Sequence, residues 1–501
     1  MDSWDFVIVG GGTAGSVLAS RLSEHPDAQV LLLEAGPADG PATMSVPSAW
    51  RGLMGSEVDW GFTTVPQAGL GGRTIPYPRG KVLGGSSSIN AMMNVRGQRS
   101  AVDAWVTAGA RGWGFDDLLP YYRRSEHTEN LDTAYRGVEG PMRLEAAASS
   151  RPAAQAFLAA VQERGYPVSA DLNGDVAEGV AWTELTTVDG VRQSAADAYL
   201  RPFLNRPNLT VVTDASVHTL TFSGTRCTGV RYVNDGSTHT AHARNEVLLC
   251  AGVIGSPQVL MLSGVGPVDA LRAHGIDVVA DLPGVGANLS DHPLGTIAYA
   301  AARQMPDGAN NDVEVLGVLR TDPALAAPDV QILFMESPVV TPGTQGYRLG
   351  FSLLAPHSRG SVTLLSDEPG KAPAIDLGLL SDERDVAGMI AALRLAREIS
   401  ASKALDPWRG EEVSPGASVN SEDQLCSFLR SSVGTYFHAV GTCRMGTGAS
   451  SVIDAELRVH GLDRLRVVDA SVMPALPAAN TNATVLAIAE RAVDIITSRG
   501  R

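Results

Sequence analysis

The sequence predicts an α/β fold (α+β overall) in which a discontinuous Rossmann-like domain carries an inserted antiparallel-sheet domain. Three observations predict it. A strand–glycine turn–helix–strand unit occupies residues 5–34, and a second short apolar strand with an apolar helix closes the chain at 465–496. Between them the sequence alternates short apolar runs with Asn, Asp, Gly and Pro.

Asp5–Val9 reads as a short buried strand, and Gly10-x-Gly12-x-x-Gly15 follows it at once. Gly10 permits the tight turn, Gly12 lets the backbone approach a pyrophosphate, and Gly15 lets helix and strand pack closely. Val17, Leu18 and Leu22 mark the helix, whose N-terminus offers free N–H groups and partial positive charge to a phosphate. The strand Val30–Leu33 ends on Glu34, 19 residues beyond Gly15, where a carboxylate would accept from ribose hydroxyls. Thr13, Ala14 and Ala35 flank these positions and join the candidate contacts.

Residues 36–72 are polar and glycine-rich, with few helix signals, and read as a lid-like loop. The glycine/serine cluster at 79–90 has no GK[ST] ending, so it is no nucleotide-hydrolysing loop; its glycines and hydroxyls suit close approach to a flat or anionic ligand. Residues 151–165 have helical spacing. Leu209–Phe222 reads as paired strands, 246–252 as a buried strand entering a glycine turn, and 256–262 as a helix with proline in its first turn. The span 292–344 alternates as an antiparallel sheet would; 382–399 is an amphipathic helix, 465–469 a strand and 484–496 a closing helix. The resulting division is 1–146, 198–289 and 439–501 for the nucleotide domain, and 147–197 and 290–438 for the substrate domain.

At 501 residues the chain holds about two or three domains. A formal charge of −15 argues against nucleic acid and anionic membrane surfaces as partners. No apolar run reaches the roughly 18–20 residues of a spanning helix, and nucleotide-type sequence beginning at residue 5 leaves no room for a secretory signal. Cys227, Cys250, Cys426 and Cys443 show no metal-ligand spacing, so no metal is expected and reduced thiols are the default. A cytoplasmic enzyme is the expectation; the oligomeric state is left open.

Seven segments in order resemble the glucose-methanol-choline (GMC) oxidoreductases, flavoenzymes that oxidise alcohols. They are the N-terminal fingerprint, RGKVLGGSSSIN at 79–90, CAGVIGSPQVLMLSGVGP at 250–267, PGVGANLSDHP at 283–293, SRGSVTLLS at 358–366, HAVGTCRMG at 438–446 and VVDASVMPALPAANTNATVLAIAERAVD at 467–494. The subgroup looks like choline dehydrogenase and the hydroxymethylfurfural and aryl-alcohol oxidases. The resemblance implies FAD rather than NAD. It places Gly84, Gly85, Ser88 and Asn90 along the pyrophosphate and isoalloxazine, Val217 at the adenine, and Asp469 and Ala470 at the phosphate and ribityl chain, with Ala251 a further cofactor contact. Some members tether flavin through a histidine just before this asparagine. Here that position is Ile89, so noncovalent FAD is expected.

Alcohol oxidation needs a base for the hydroxyl proton while the carbinol hydride passes to flavin N5, and histidine suits the first task. Ten histidines leave the choice to motif context. The resemblance turns His438 toward the flavin and makes Asn482, in Asn480-Thr-Asn482, the partner that positions the substrate oxygen. His292, in SDHP, reads as a turn residue, and Cys443 as packing. Asp312, Glu314 and Glu336 could face a quaternary ammonium, but few aromatics accompany them. A primary alcohol, aryl or small aliphatic, is therefore expected, with O2 or another electron acceptor as second partner. Choline-type dehydrogenation and flavin-dependent hydroxynitrile cleavage are the alternatives within the resemblance. Light-driven decarboxylation and a non-enzymatic flavoprotein stand further off.

Overall fold

Two seven-stranded sheets organise the chain. The computed structural model describes residues 3–129, 131–147, 151–305 and 310–498. In the first sheet the order is Leu209–Val212, Val30–Leu33, Ser3–Val9, Ser237–Leu249, Arg226–Asn234 and Ser216–Ser223, and Leu465–Val467 joins beside the 237–249 strand. The pairings among 209–212, 30–33, 3–9, 237–249 and 465–467 are parallel. Val7, Ile8, Val30, Leu32 and Leu248 are wholly buried. Strands covered on both faces carry continuous apolar runs rather than an alternating pattern, which is how these segments read in sequence.

The second sheet is antiparallel throughout, in the order Arg409–Ser414, Pro293–Ala301, Thr344–Leu353, Val330–Thr341, Val315–Leu319 and Gly179–Trp182, with Gly434–Thr435 pairing on 293–301. The helix Glu383–Ser400 packs on its 344–353 strand and buries Met389, Leu393 and Ile399. Its start is set by Asp382, whose carboxylate accepts the Arg384 N–H as an N-cap. The fold is thus the mixed α/β arrangement expected, with strands from both chain ends in the parallel sheet.

Two local expectations are corrected. Leu209–Val212 and Ser216–Ser223 are not a hairpin: the first pairs with 30–33 and the second with 226–234. The connector is held along the end of the 30–33 strand, because Asp214 N–H donates to Gly36 and Ala215 N–H to Glu34. The helix expected at 256 starts at Gly252, which puts Pro257 inside it. Proline leaves the carbonyl four residues earlier without its helical donor. That carbonyl belongs to Val253 and accepts the Thr442 hydroxyl at 2.7 Å, which offsets the loss.

The 36–72 segment holds short 3₁₀ turns and one helical turn, Trp50–Leu53. It is anchored to the 311–312 loop through the Trp50 indole N–H on the Asn311 carbonyl (3.0 Å) and an Arg51–Asp312 ion pair (2.7 Å).

Gly15 shows why the first turn must be bare. A Cβ there would lie 1.9 Å from the Gly10 carbonyl oxygen, backbone against backbone. Gly15→Ala is expected to lower stability by about 1–3 kcal/mol, the usual cost of overpacking, and to reduce the flavin retained on purification. Thermal melting with flavin quantitation measures both; unchanged melting and retention would contradict the close packing.

Candidate active site

A cleft of about 480 Å³ runs between the sheets, from the glycine turn and Glu34 to His438. The helix Thr13–Leu22 opens onto it with Gly12 at its N-cap and no side-chain cap. Its first-turn N–H groups are therefore presented to the cleft, as an anionic phosphate requires. Gly85 meets this turn closely enough that a Cβ on it would lie 2.8 Å from Gly12 Cα. The two glycine loops thus form one bare-backbone cradle, which fits the pyrophosphate of the FAD that the resemblance implies.

Of the expected cofactor contacts, Gly10, Gly12, Thr13, Ala14, Glu34, Ala35, Gly85, Asn90, Val217, Ala251, Asp469 and Ala470 line this cleft. Gly84 and Ser88 are not on its wall. Gly84 sits at φ +89° behind it, with its N–H on the Gly11 carbonyl, and the buried Ser88 hydroxyl donates to Leu83. Gly15 packs on Gly10 behind the turn. Ser86 and Ile89 stand on the wall instead. Asn90 engages its Oδ1 with Met92 N–H (2.9 Å) and Arg192 (2.9 Å), which leaves its amide nitrogen for a ligand.

Both candidate carboxylates of the nucleotide end, Glu34 and Asp469, are engaged with the protein. Glu34 accepts the N–H of Gly11 (2.7 Å) and Gly36 (2.8 Å), so it shapes the glycine turn as well as facing the cleft. Burial pushes its pKa up to about 7, against the pull of those two N–H groups. Asp469 accepts from Gly252 N–H (2.9 Å), the Ser256 hydroxyl (2.6 Å) and Ser471 N–H (2.8 Å). Its carboxylate caps the 470–472 turn and the start of the 252–262 helix, so what it offers a cofactor is the placement of those backbones.

The base candidate stands at the other end. His438 follows Phe437, which holds φ +66°, a left-handed turn that a side chain rarely adopts and that aims the next residue. His438 Nδ1 lies 3.0 Å from His292 Nδ1, and His292 Nε2 lies 3.0 Å from the Leu354 carbonyl oxygen. A carbonyl can only accept, so His292 carries its proton on Nε2 and leaves Nδ1 as an acceptor. His438 must then donate from Nδ1, which leaves its Nε2 unprotonated and able to accept. Burial first, then the charges of His292 and Arg79, hold His438 well below the usual histidine pKa; burial lowers His292 to about 4. Both rings are neutral near pH 7. His292, in sequence a turn residue, stands directly beside His438, the base candidate.

The His438 Nε2 accepts from the Asn480 amide nitrogen, 3.2 Å away. Gln331 Nε2 reaches Asn480 Oδ1 at 3.4 Å, which turns the Asn480 amide nitrogen toward the histidine. The expected pairing of His438 with Asn482 is thereby corrected: the His438 partner is Asn480. Asn482 is the first residue of the helix Asn482–Thr497, and its Oδ1 accepts the Thr13 hydroxyl at 2.8 Å, tying two helix N-termini together at the cleft. Positions 480 and 482 fall on either side of a helix start, where the chain direction changes. In an extended segment they would have shared a face.

Around this pair the wall is apolar: Met92, Met93, Leu294, Val313, Leu333 and Met335, with the Tyr436 ring centred 4.2 Å from His438. The three acids weighed for a cationic substrate are turned elsewhere. Asp312 pairs with Arg51, while Glu314 and Glu336 are buried against Arg151. Glu336 follows the wall residue Met335 in its strand and so takes the opposite face. Cys443 is buried, and burial raises its thiol pKa. Among the described residues no group of three or more His, Cys, Asp or Glu is placed to hold a metal, and no helix is long and apolar enough to cross a membrane.

Family models described as GMC oxidoreductase match residues 4–294 and 356–489. The chain is 40% identical to the mitochondrial choline dehydrogenase of Homo sapiens, over 99% of this chain and 90% of that protein. It is 39% identical to the oxygen-dependent choline dehydrogenase of Brucella anthropi, over 99% and 96%. Among solved structures it is similar to pyridoxine 4-oxidase from Mesorbium loti, with a TM-score of 0.94, 38% identity, and 98% of each chain covered.

Proposed function

The chain belongs to the GMC oxidoreductase family and is an FAD-dependent oxidoreductase, and from that premise we propose that it oxidises a neutral primary alcohol, aryl or small aliphatic, to the aldehyde. The observation that carries this reading is the unprotonated Nε2 of a neutral His438, met by an amide N–H of Asn480 and beside an apolar wall. Bound FAD would supply the acceptor for the carbinol hydride, N5 of its flavin. The protein's part is the other half of the reaction. Asn480 donates to the alcohol oxygen and holds it, His438 Nε2 accepts the hydroxyl proton, and His292 keeps the opposite ring nitrogen occupied so that only Nε2 is available. The same reading assigns 1–146, 198–289 and 439–501 to the cofactor and 147–197 and 290–438 to the substrate.

The substrate's neutrality rests on Glu314, Glu336 and Asp312 being paired with arginines, and on the cleft acids Glu34 and Asp469 being engaged by backbone N–H groups. Glu314 and Glu336 share the one Arg151, and none of the three acids stands on the cleft wall, so none faces a quaternary ammonium there. Anaerobic mixing with a panel of benzyl alcohol, short aliphatic alcohols and choline tests this. Bleaching by the neutral alcohols is expected; bleaching by choline alone would overturn the substrate class, and bleaching by none would favour the lyase reading. Oxygen uptake run beside an artificial acceptor then tells O2 from another oxidant.

Ile89 lines the cleft where a tether would need a nucleophile, so the flavin is held noncovalently. Acid precipitation is expected to leave FAD in the supernatant; colour retained on the pellet would contradict this.

The corrected pair makes its own prediction. Asn480→Ala removes one oriented hydrogen bond in a dry site, worth roughly 1–3 kcal/mol, or about 5- to 150-fold in flavin reduction. Asn482→Ala loosens the contact with Thr13 and should slow reduction less. Stopped-flow reduction of both FAD-loaded variants decides; an equal or reversed ranking would restore Asn482.

A further inference from the structure

The two histidines come from different segments, 290–293 and 434–440, and one buried carboxylate stands between them. Asp291 Oδ1 accepts the backbone N–H of His292 (2.8 Å) and of His438 (2.8 Å). Its Oδ2 accepts the hydroxyls of Tyr77 (2.8 Å) and Thr435 (2.5 Å). Thr435 in turn accepts Phe437 N–H at 2.7 Å, and the Phe437 carbonyl accepts from Arg79 at 3.0 Å. Arg79 also donates to the Tyr77 hydroxyl at 2.5 Å and lies over its ring. The bonds close a ring around the left-handed turn at Phe437, so both the N–H and the carbonyl of that residue are held.

We propose that Asp291 is the positioning residue of the base: one carboxylate oxygen clamps the backbones of His292 and His438 together, and the hydroxyls of Thr435 and of Tyr77, itself held by Arg79, fix the other oxygen from behind. Asp291 is 2% exposed and is absent from the cleft wall, so it acts through His438 and not on the substrate. The clamp sets where the imidazole can stand. Without it the turn at Phe437 loses the ties that keep an unfavourable conformation, and the ring nitrogens lose the register in which Nδ1 meets Nδ1. The proposal rests on His438 being the base.

The test is a set of FAD-loaded variants followed by anaerobic flavin reduction. Asp291→Ala is expected to lower the limiting reduction rate about 10²-fold, as a misplacement near 1 Å does, with the alcohol's dissociation constant within about threefold of wild type. Asp291→Asn keeps an oxygen for the two backbone N–H groups and should recover about tenfold of that loss. In a His438→Ala background neither change should slow reduction further, because the group they position is gone. Tyr77→Phe removes one donor to Asp291 without touching the backbone; a loss of about threefold or more, again absent in the His438→Ala background, is expected even where Asp291→Ala does not fold. Wild-type rates in Asp291→Ala or Tyr77→Phe, or equal losses with and without His438, would overturn the clamp. Wild-type reduction in His438→Ala alone would instead overturn the reading of the base.

Discussion

Replacing His438 with alanine is expected to slow anaerobic flavin reduction about 10²- to 10⁴-fold, the usual worth of general acid–base catalysis, with FAD content unchanged. The ring's Nδ1 is engaged by His292 and its Nε2 faces Asn480; neither contact holds the glycine cradle of the cofactor. The pH dependence carries a second check. Burial and the positive Arg79 hold His438 well below the ordinary histidine value. The base is therefore ready throughout the neutral range, and reduction in the wild type should fall only when the pH drops well below 6.5. His438→Ala should lose that acid limb along with the rate. A variant that keeps FAD and reduces at the wild-type rate, or keeps the acid limb, would remove His438 from the proton step.

The parallel sheet and its glycine turn were legible because their signals are local. A strand buried on both faces is continuously apolar, and a helix that must touch a strand needs glycine at the contact, so 5–34 could be read without the rest of the chain. Leu209–Phe222 misled because two strands three residues apart look like a hairpin. Leu209–Val212 is held beside 30–33 by its own ladder, by the Asn208 amide on the Ser23, His25 and Ala28 carbonyls, and by the Asp214 and Ala215 N–H groups on residues 36 and 34, partners about 180 positions away in sequence. The helix at Gly252 was read as starting late because proline is ordinarily a first-turn residue. Its compensation, Thr442 on the Val253 carbonyl, is a tertiary contact.

The site divided along the same line. His438 was found through its motif, and most cradle positions stand on the cleft wall. Asn480 and Asn482 are two apart in one motif and chemically identical, so only the helix start between them separates a His438 partner from a Thr13 partner. Asp291 and His292 lie in a resembling segment, PGVGANLSDHP, but nothing in it links them to His438. Their significance is the company they keep across 146 and 147 residues, which a linear reading does not contain. The acids at 312, 314 and 336 looked available to a cation for the converse reason: Arg51 and Arg151, which engage them, lie far away in sequence.

Acid should destabilise the folded protein through the histidine pair, and His292 sets the size. Its folded pKa of about 4 lies below the unfolded value of 6.5 because burial disfavours the imidazolium. Above pH 6.5 neither state binds the proton and the residue contributes no pH dependence. Below 6.5 the unfolded chain takes up a proton that the folded chain refuses until about pH 4, so unfolding gains throughout that window. The full difference is roughly 3 kcal/mol, of which about 2 kcal/mol appears between pH 7 and pH 5. His438 is shifted in the same direction, so the pair resists its first proton as a unit. Urea unfolding of the FAD-loaded protein at pH 7 and pH 5 measures the loss. His292→Asn supplies an amide that does not titrate, and it should shrink the drop between the two pH values by about 2 kcal/mol, whatever it does to stability at pH 7. The readout is that difference of differences, which a merely disrupted core would leave unchanged. Should wild type and His292→Asn lose the same stability on acidification, His292 is not a buried neutral acceptor, and the tautomer that leaves His438 Nε2 unprotonated loses its support.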